Sequence, residues 1–222
     1  VSEGMQISSR RECGPLALML VEEIGHRVIN EFAEAISTLS LAARTAPSSA
    51  ERASIERAAL GLSGHAELHR ALLPPTSAHP VSLPGYLARI CQSFSATVLA
   101  RRGVRLLLRS DEVQLASGEA WRVALIVMEL VRNAARHAQL KPGGLITVDL
   151  TLADGGLTCS VCDSGQASPA ARPGRGRHLV QSLAAELGGH ATWRLGPAGS
   201  QARVDLPLAT PICGQLSSGP SE

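Results

Sequence analysis

Two long amphipathic stretches separated by a five-residue break set the first limit on what this chain can fold into. PLALMLVEEIGHRVINEFAEAISTLSLAAR, residues 15–44, repeats apolar residues at three and four. Leu16, Leu20, Ile24, Val28, Ala35 and Leu39 make a stripe suited to burial, and Pro15 suits a helix start. A continuous helix of that length runs about 45 Å. TAPSS, residues 45–49, is a turn signal. AERASIERAALGLSGHAELHRALL, residues 50–73, then reads as a second helix in spite of its glycines, and PPTSAHP ends it. Such a pair forms an antiparallel hairpin. A hairpin alone buries little, so a second copy closing a four-helix bundle is expected.

Composition removes several functional classes. The chain has 222 residues, 45% of them hydrophobic, which is enough for a sizeable core. A formal charge of +2 and 2% aromatic residues do not make a nucleic-acid surface. Five cysteines, an odd number, do not make a secreted disulfide framework. No apolar run reaches the length of a membrane span, and the first residues lack the basic and apolar regions of a secretion signal. The expectation is a soluble cytoplasmic protein, with no nucleic acid and no membrane insertion.

On the first helix Glu22, His26 and Asn30 are spaced i, i+4, i+8 and share a flank, with Arg27 directly after the histidine. Two readings stand side by side. Exposed polar residues are ordinary on a bundle helix. An imidazole near neutral pKa is also a nucleophile whose ring nitrogen accepts a phosphoryl group, with a carboxylate to orient it and an amide to position water.

The second half mixes helices with strands. Residues 80–103 read as a helix after a short extended lead, and 104–110 as a strand. A helix is expected over 119–140, strands over 145–153 and 156–165, a helix over 177–189, and two closing strands. That order suggests a two-layer α+β domain. Along helix 119–140, Val123, Val127, Leu130, Ala134 and Ala138 face a sheet. Glu129, Asn133 and His137 form a polar stripe with Arg136 beside them, followed by Asp163 at a strand end. Asparagine oxygen ligates Mg²⁺, and arginine or histidine faces phosphate. Gly174 and Gly176 precede a helix start, where backbone N–H groups favour negative charge. Cys159 and Cys162 read as structural thiols, because no second ligand pair lies near them. His65 and His69, one turn apart, read as flank residues of the second helix.

These pieces together resemble the catalytic core of a bacterial two-component sensor histidine kinase. The resemblance covers residues 18–208 and is closest to the subfamily whose phosphoacceptor box begins His-Arg-Val-x-Asn, here HRVIN at 26–30. HAELHRALL is similar to the end of that subfamily's second bundle helix, MELVRNAARHA to its asparagine box, and VCDSG and GRGRHLV to its two glycine boxes. The resemblance implies that His26 is the phosphorylated residue, with Arg27 completing the box, Glu22 or Glu23 assisting, and Asn30 directing water in dephosphorylation. It implies ATP and Mg²⁺ as cofactors. Asn133 would ligate the metal, Glu129 would be its acidic partner, and Arg136 with His137 would face phosphate. Asp163 would contact the adenine amino group within the Asp163–Gly165 turn, while Gly174 and Gly176 admit the phosphates. Where the family runs Asp-x-Gly-x-Gly, this chain reads DSGQA, with Ala167 at the second glycine and only SPAARP before Gly174. The lid that closes over the triphosphate is therefore very short.

The expected organisation is a flexible start at 1–14, a dimerisation and phosphoacceptor domain at 15–78, an ATP-binding-like domain at 79–209 and a tail at 210–222. The expected fold class is α+β, a helical hairpin in a dimeric four-helix bundle followed by a two-layer α/β sandwich. Three functions remain open: a histidine kinase, an ATP-independent histidine phosphotransferase with a degenerate nucleotide domain, and an adaptor that only docks a response regulator. Expected partners are a second copy, a response-regulator receiver domain and a separate sensor protein.

Overall fold

The computed structural model describes residues 15–138, 140–153, 156–166, 174–196 and 199–207. The expected termini, Ala167 and the segment SPAARP lie outside the described residues, as does the side chain of Leu16. Helix α1 spans Pro15–Arg44, bounded as the apolar period and Pro15 imply. Helix α2 spans Ser49–Ala71 and opens on a capping box: the Ser48 side chain accepts from Glu51 N, and Glu51 reaches back to Ser48 N. The two helices pack side by side.

The pairing of α1 with α2 leaves part of the expected stripe uncovered. Ile29 and Ala43 are buried and Val28, Ala35 and Leu39 are half-buried, but Leu20 and Ile24 are 53% and 60% exposed. The reason is length. Gly25 lies opposite Leu73, just past the end of α2, so the first ten residues of α1 run beyond its partner.

The short strand β1 (Val81–Ser82) leads into α3 (Leu83–Phe94), whose N-terminus is capped by Ser82. The expected helix over 80–103 is not uniform. After Phe94 it widens into a π turn at Ser95–Leu99 and then tightens into a 3₁₀ turn at Ala100–Arg102. Then come β2 (Arg105–Ser110), β3 (Gln114–Leu115), α4 (Ser117–His137), β4 (Leu145–Ala153), β5 (Gly156–Asp163), α5 (Arg175–Glu186), β6 (His190–Gly196) and β7 (Gly199–Pro207). β1 and β3 pair antiparallel through Val81–Leu115 and Ser82–Gln114. The main sheet has the order β2-β4-β5-β7-β6, with β2 and β4 parallel and the other pairs antiparallel.

Alternation along β4 and β5 decides which face of the sheet is covered. Ile146, Val148, Leu150, Leu157, Cys159 and Val161 are buried beneath the helices. Thr147, Asp149, Thr158, Ser160 and Cys162 take the open side, where Arg109 pairs with Asp149 and Arg203 with Asp205. The Arg203 guanidinium holds the Asp205 carboxyl below its usual value, so this contribution is present at neutral pH and fades below about pH 4. The helical layer supplies Leu83, Leu87, Ile90, Val123, Val127 and Val131, all fully buried. Leu68 of α2 belongs to the same apolar cluster, so the hairpin and the sheet domain share packing. Among the described residues no helix is long and apolar enough to cross a membrane.

Being three residues apart on one strand, Cys159 and Cys162 point to opposite faces and cannot share a ligand. Burial pushes the Cys91 thiol up to about 11 and the Cys159 thiol up to about 12. Neither therefore forms appreciable thiolate near neutral pH. At pH 8 iodoacetamide should leave Cys91 and Cys159 unmodified in the native protein and alkylate both once guanidinium unfolds it. Mass spectrometry of the digested protein reads this, and native labelling of Cys159 as fast as of Cys162 would contradict the packing.

Candidate functional site

Helix α4 is apolar around most of its circumference. Ala120, Val123, Ala124, Ile126, Val127, Leu130, Val131 and Ala134 are all buried. The remaining strip carries Glu129 and Asn133, one turn apart and half-buried, then Arg136 and His137 exposed in the last turn. Glu129 keeps 19% side-chain exposure and sits 3.7 Å from Arg132. A carboxylate and an amide on one row supply the hard oxygen donors that Mg²⁺ takes.

The start of α5 closes over this strip. A Cβ placed on Gly176 would collide with the Glu129 carboxylate and come within 3.2 Å of Asn133 Nδ2. Any larger residue here would have to displace the Glu129 carboxylate, so the start of α5 lies in direct contact with the polar strip of α4. Gly174 differs: a Cβ there meets nothing within 4 Å. It caps α5 without a side-chain hydrogen bond, which leaves the first-turn N–H groups of α5 without a side-chain cap. Behind them the Arg177 guanidinium stacks over the Trp193 ring at 5.4 Å.

Asp163 reaches the same end of α4 from the sheet. It is 8% exposed, the one buried polar or charged residue among the described residues. Its Oδ1 accepts from Gly165 N at 3.0 Å and from Ser200 N at 3.3 Å, and Oδ2 accepts from the Ser200 hydroxyl. Gln166 N donates to Ala138 O at 2.8 Å, which docks the turn on the α4 terminus. Gly165 is held so close that a Cβ would run into the Ala138 carbonyl, a backbone atom unable to step aside. Ser200 is a site residue that sequence reading does not find. It lies 37 positions from Asp163 and meets it only through the β5–β7 register.

Four of the expected positions, Glu129, Asn133, Asp163 with its Gly165 turn, and Gly176, therefore gather around the last two turns of α4. Arg136 and His137 end the same helix, and Gly174 stands one residue before α5. The remaining expected residues lie on α1. His26, Arg27 and Asn30 are exposed, Glu22 is half-buried, and Glu23 accepts from Arg27 Nε at 2.8 Å. His69 packs its ring on Phe32 at 5.4 Å, and His65 is exposed one turn before it. Among the described residues no three potential ligands cluster as a His/Cys/Asp/Glu metal site.

Comparison with known proteins bears on the family and the fold. The family described as "Histidine kinase-like ATPase domain" matches residues 83–204, more than half of the chain and the whole span from α3 into β7. No curated protein sequence matches. Among solved structures, the histidine kinase domain of the Erythrobacter litoralis EL346 blue-light activated histidine kinase superposes with a TM-score of 0.58 at 20% identity, over 80% of this chain and 96% of that one. Full-length ShkA in complex with AMPPNP gives 0.51 at 17% identity, over 86% of this chain and 46% of that one. A bacterial phosphotransferase gives 0.58 at 11% identity, over 87% and 98%. At these identities the likeness is one of fold. The family match rests on the sequence itself: this chain belongs to the histidine kinase-like ATPase domain family.

Proposed function

We propose that the protein is the core of a two-component histidine kinase, phosphorylated on His26 and passing the phosphoryl group to an aspartate of a receiver domain. The observation that carries this reading is the gathering of Glu129, Asn133, the Asp163–Gly165 turn and Gly176 around one end of α4, in a chain whose α1 also presents an exposed His-Arg pair. Asp163 would hold the adenine amino group, with Ser200 fixing the carboxylate. Asn133 would ligate Mg²⁺ with Glu129 as its acidic partner, while Arg136, His137 and the glycines at 174 and 176 would face phosphate. Bound Mg²⁺-ATP supplies the phosphoryl group and offsets its charge.

At the acceptor, a ring nitrogen of His26 takes the γ-phosphoryl group. Glu23 is engaged by Arg27, which leaves Glu22, one turn before His26, as the carboxylate on the ring's own row. Asn30, one turn after, would direct water during dephosphorylation. The division at 78/79 separates the acceptor hairpin from the nucleotide domain in this reading. A homodimer would cover Leu20, Ile24, Leu41 and Leu60, all exposed in the single chain. A separate sensor protein and a receiver domain complete the proposed partners, in the cytoplasm.

A second reading has its own observation. Ala167 at the family's second glycine, with only the six residues SPAARP between it and Gly174, favours a histidine phosphotransferase that receives phosphate from one receiver and gives it to another. Incubating the protein with radiolabelled Mg²⁺-ATP, in parallel with an already phosphorylated receiver, tests both. The kinase reading expects acid-labile label from ATP on the wild type and at least a hundredfold less on His26→Ala, whose nucleotide domain is untouched. Label from the receiver alone would transfer the function to the phosphotransferase, and persistence of label in His26→Ala would move the acceptor elsewhere, first to His65.

Asn30→Ala should keep uptake of phosphate at His26 and slow loss of phosphate from the receiver aspartate about tenfold. Equal rates for the two proteins would reduce Asn30 to a surface residue.

A further inference from the structure

The end of α2 is held in an unusual way. A helix leaves its last carbonyl groups without intrahelical partners. Beyond Ala71, two adjacent carbonyls are taken by aromatic side chains of the other half of the chain. Trp121 Nε1 donates to Leu72 O at 3.0 Å, and the Tyr86 hydroxyl donates to Leu73 O at 2.9 Å. Tyr86 is the single tyrosine of the sequence and Trp121 one of two tryptophans. Both rings are buried, so each polar tip needs its partner. Burial pushes the Tyr86 phenol well above its ordinary value, against a smaller opposite pull from Arg89, so it stays a neutral donor.

The same residue is engaged from the other side. Leu73 Cδ2 occupies the place where a Cβ on Gly25 would stand, and Gly25 immediately precedes His26. The side chain of Leu73 thus seats against the acceptor helix while its carbonyl is gripped by α3. Trp121, on the neighbouring carbonyl, stands near the start of α4, twelve residues before Asn133. One stiff helix therefore carries the junction at one end and the nucleotide-facing strip about 18 Å further along.

We propose that Leu73, seated on Gly25 and held through its backbone by Tyr86 with Trp121 alongside, is a positioning junction that sets the His26 turn of α1 in register with the nucleotide site on α4. None of these residues belongs to the strip of Glu129, Asn133 and the Asp163 turn; they act through the placement of the groups that do. The proposal rests on His26 as the acceptor.

The test compares the full chain as wild type, Tyr86→Phe, Gly25→Leu, and Gly25→Leu combined with Leu73→Ala. Removing the Tyr86 hydroxyl keeps the ring and its packing. Leucine at 25 pushes Leu73 off its seat, and alanine at 73 returns the space. Amide exchange over residues 19–31 should quicken about fivefold in each single variant and return to within twofold of wild type in the double variant. Initial labelling of His26 from radiolabelled Mg²⁺-ATP should fall at least fivefold in the single variants and recover in the double, with affinity for Mg²⁺-ADP unchanged within twofold throughout. Unchanged exchange in Tyr86→Phe, or a double variant no better than Gly25→Leu, would overturn the junction. Absence of label on the wild type would instead count against the kinase reading, and exchange with its rescue would still decide the junction.

Discussion

Helix α4 has to meet two environments at once, and the rest of the molecule follows from how it does so. Its burial against α3 and the sheet uses nearly every apolar position between Ala120 and Ala135. Only a narrow strip is left for polar groups, and that strip carries Glu129 and Asn133. Because the strip is narrow, the start of α5 lies directly upon it, with glycine at 176 as the residue that fits. The sheet reaches the same place through the Asp163–Gly165 turn, locked to the α4 terminus by Gln166 N and Ala138 O. The polar residues of the candidate site are thus held by apolar packing elsewhere on the same helix.

Asp163 shows how a buried carboxylate is kept at low cost. Desolvation would be expensive for an unpartnered group, but two backbone N–H groups and the Ser200 hydroxyl converge on it. Its oxygens are therefore oriented before any ligand arrives, which is the condition for a specific contact to an amino group. The α1 side is arranged differently. His26 stands exposed on a helix whose start runs past its partner, and Leu73 ties that helix to the sheet domain.

Much of this was legible in the sequence. The limits of α1 follow from Pro15 and from the break at Thr45–Pro47, and β4 and β5 follow from strict alternation. The polar row on α4 is a spacing, so it reads directly. What did not read were features made by distant register or by local geometry with no periodic signature. The π turn at Ser95–Leu99 has the composition of an ordinary helix. The β1–β3 pair is two residues long, too short to alternate. Ser200 meets Asp163 only because β7 pairs with β5, and Gly25 looks like a weak point in a helix until Leu73 is beside it. The exposure of Leu20 and Ile24 was hidden because a stripe announces burial without saying which surface covers it.

In the proposed function the end of α4, the Asp163 turn and the start of α5 make one nucleotide site. Calorimetric titration of Mg²⁺-ADP and of a non-hydrolysable ATP analogue into the wild type and Asp163→Asn tests it most directly, since asparagine keeps an acceptor for Gly165 and Ser200 while removing the charge. Weak, similar affinities are expected for the two nucleotides, each lowered at least tenfold by the substitution. No heat and no competition by either nucleotide at millimolar concentration, or equal binding by Asp163→Asn, would contradict it.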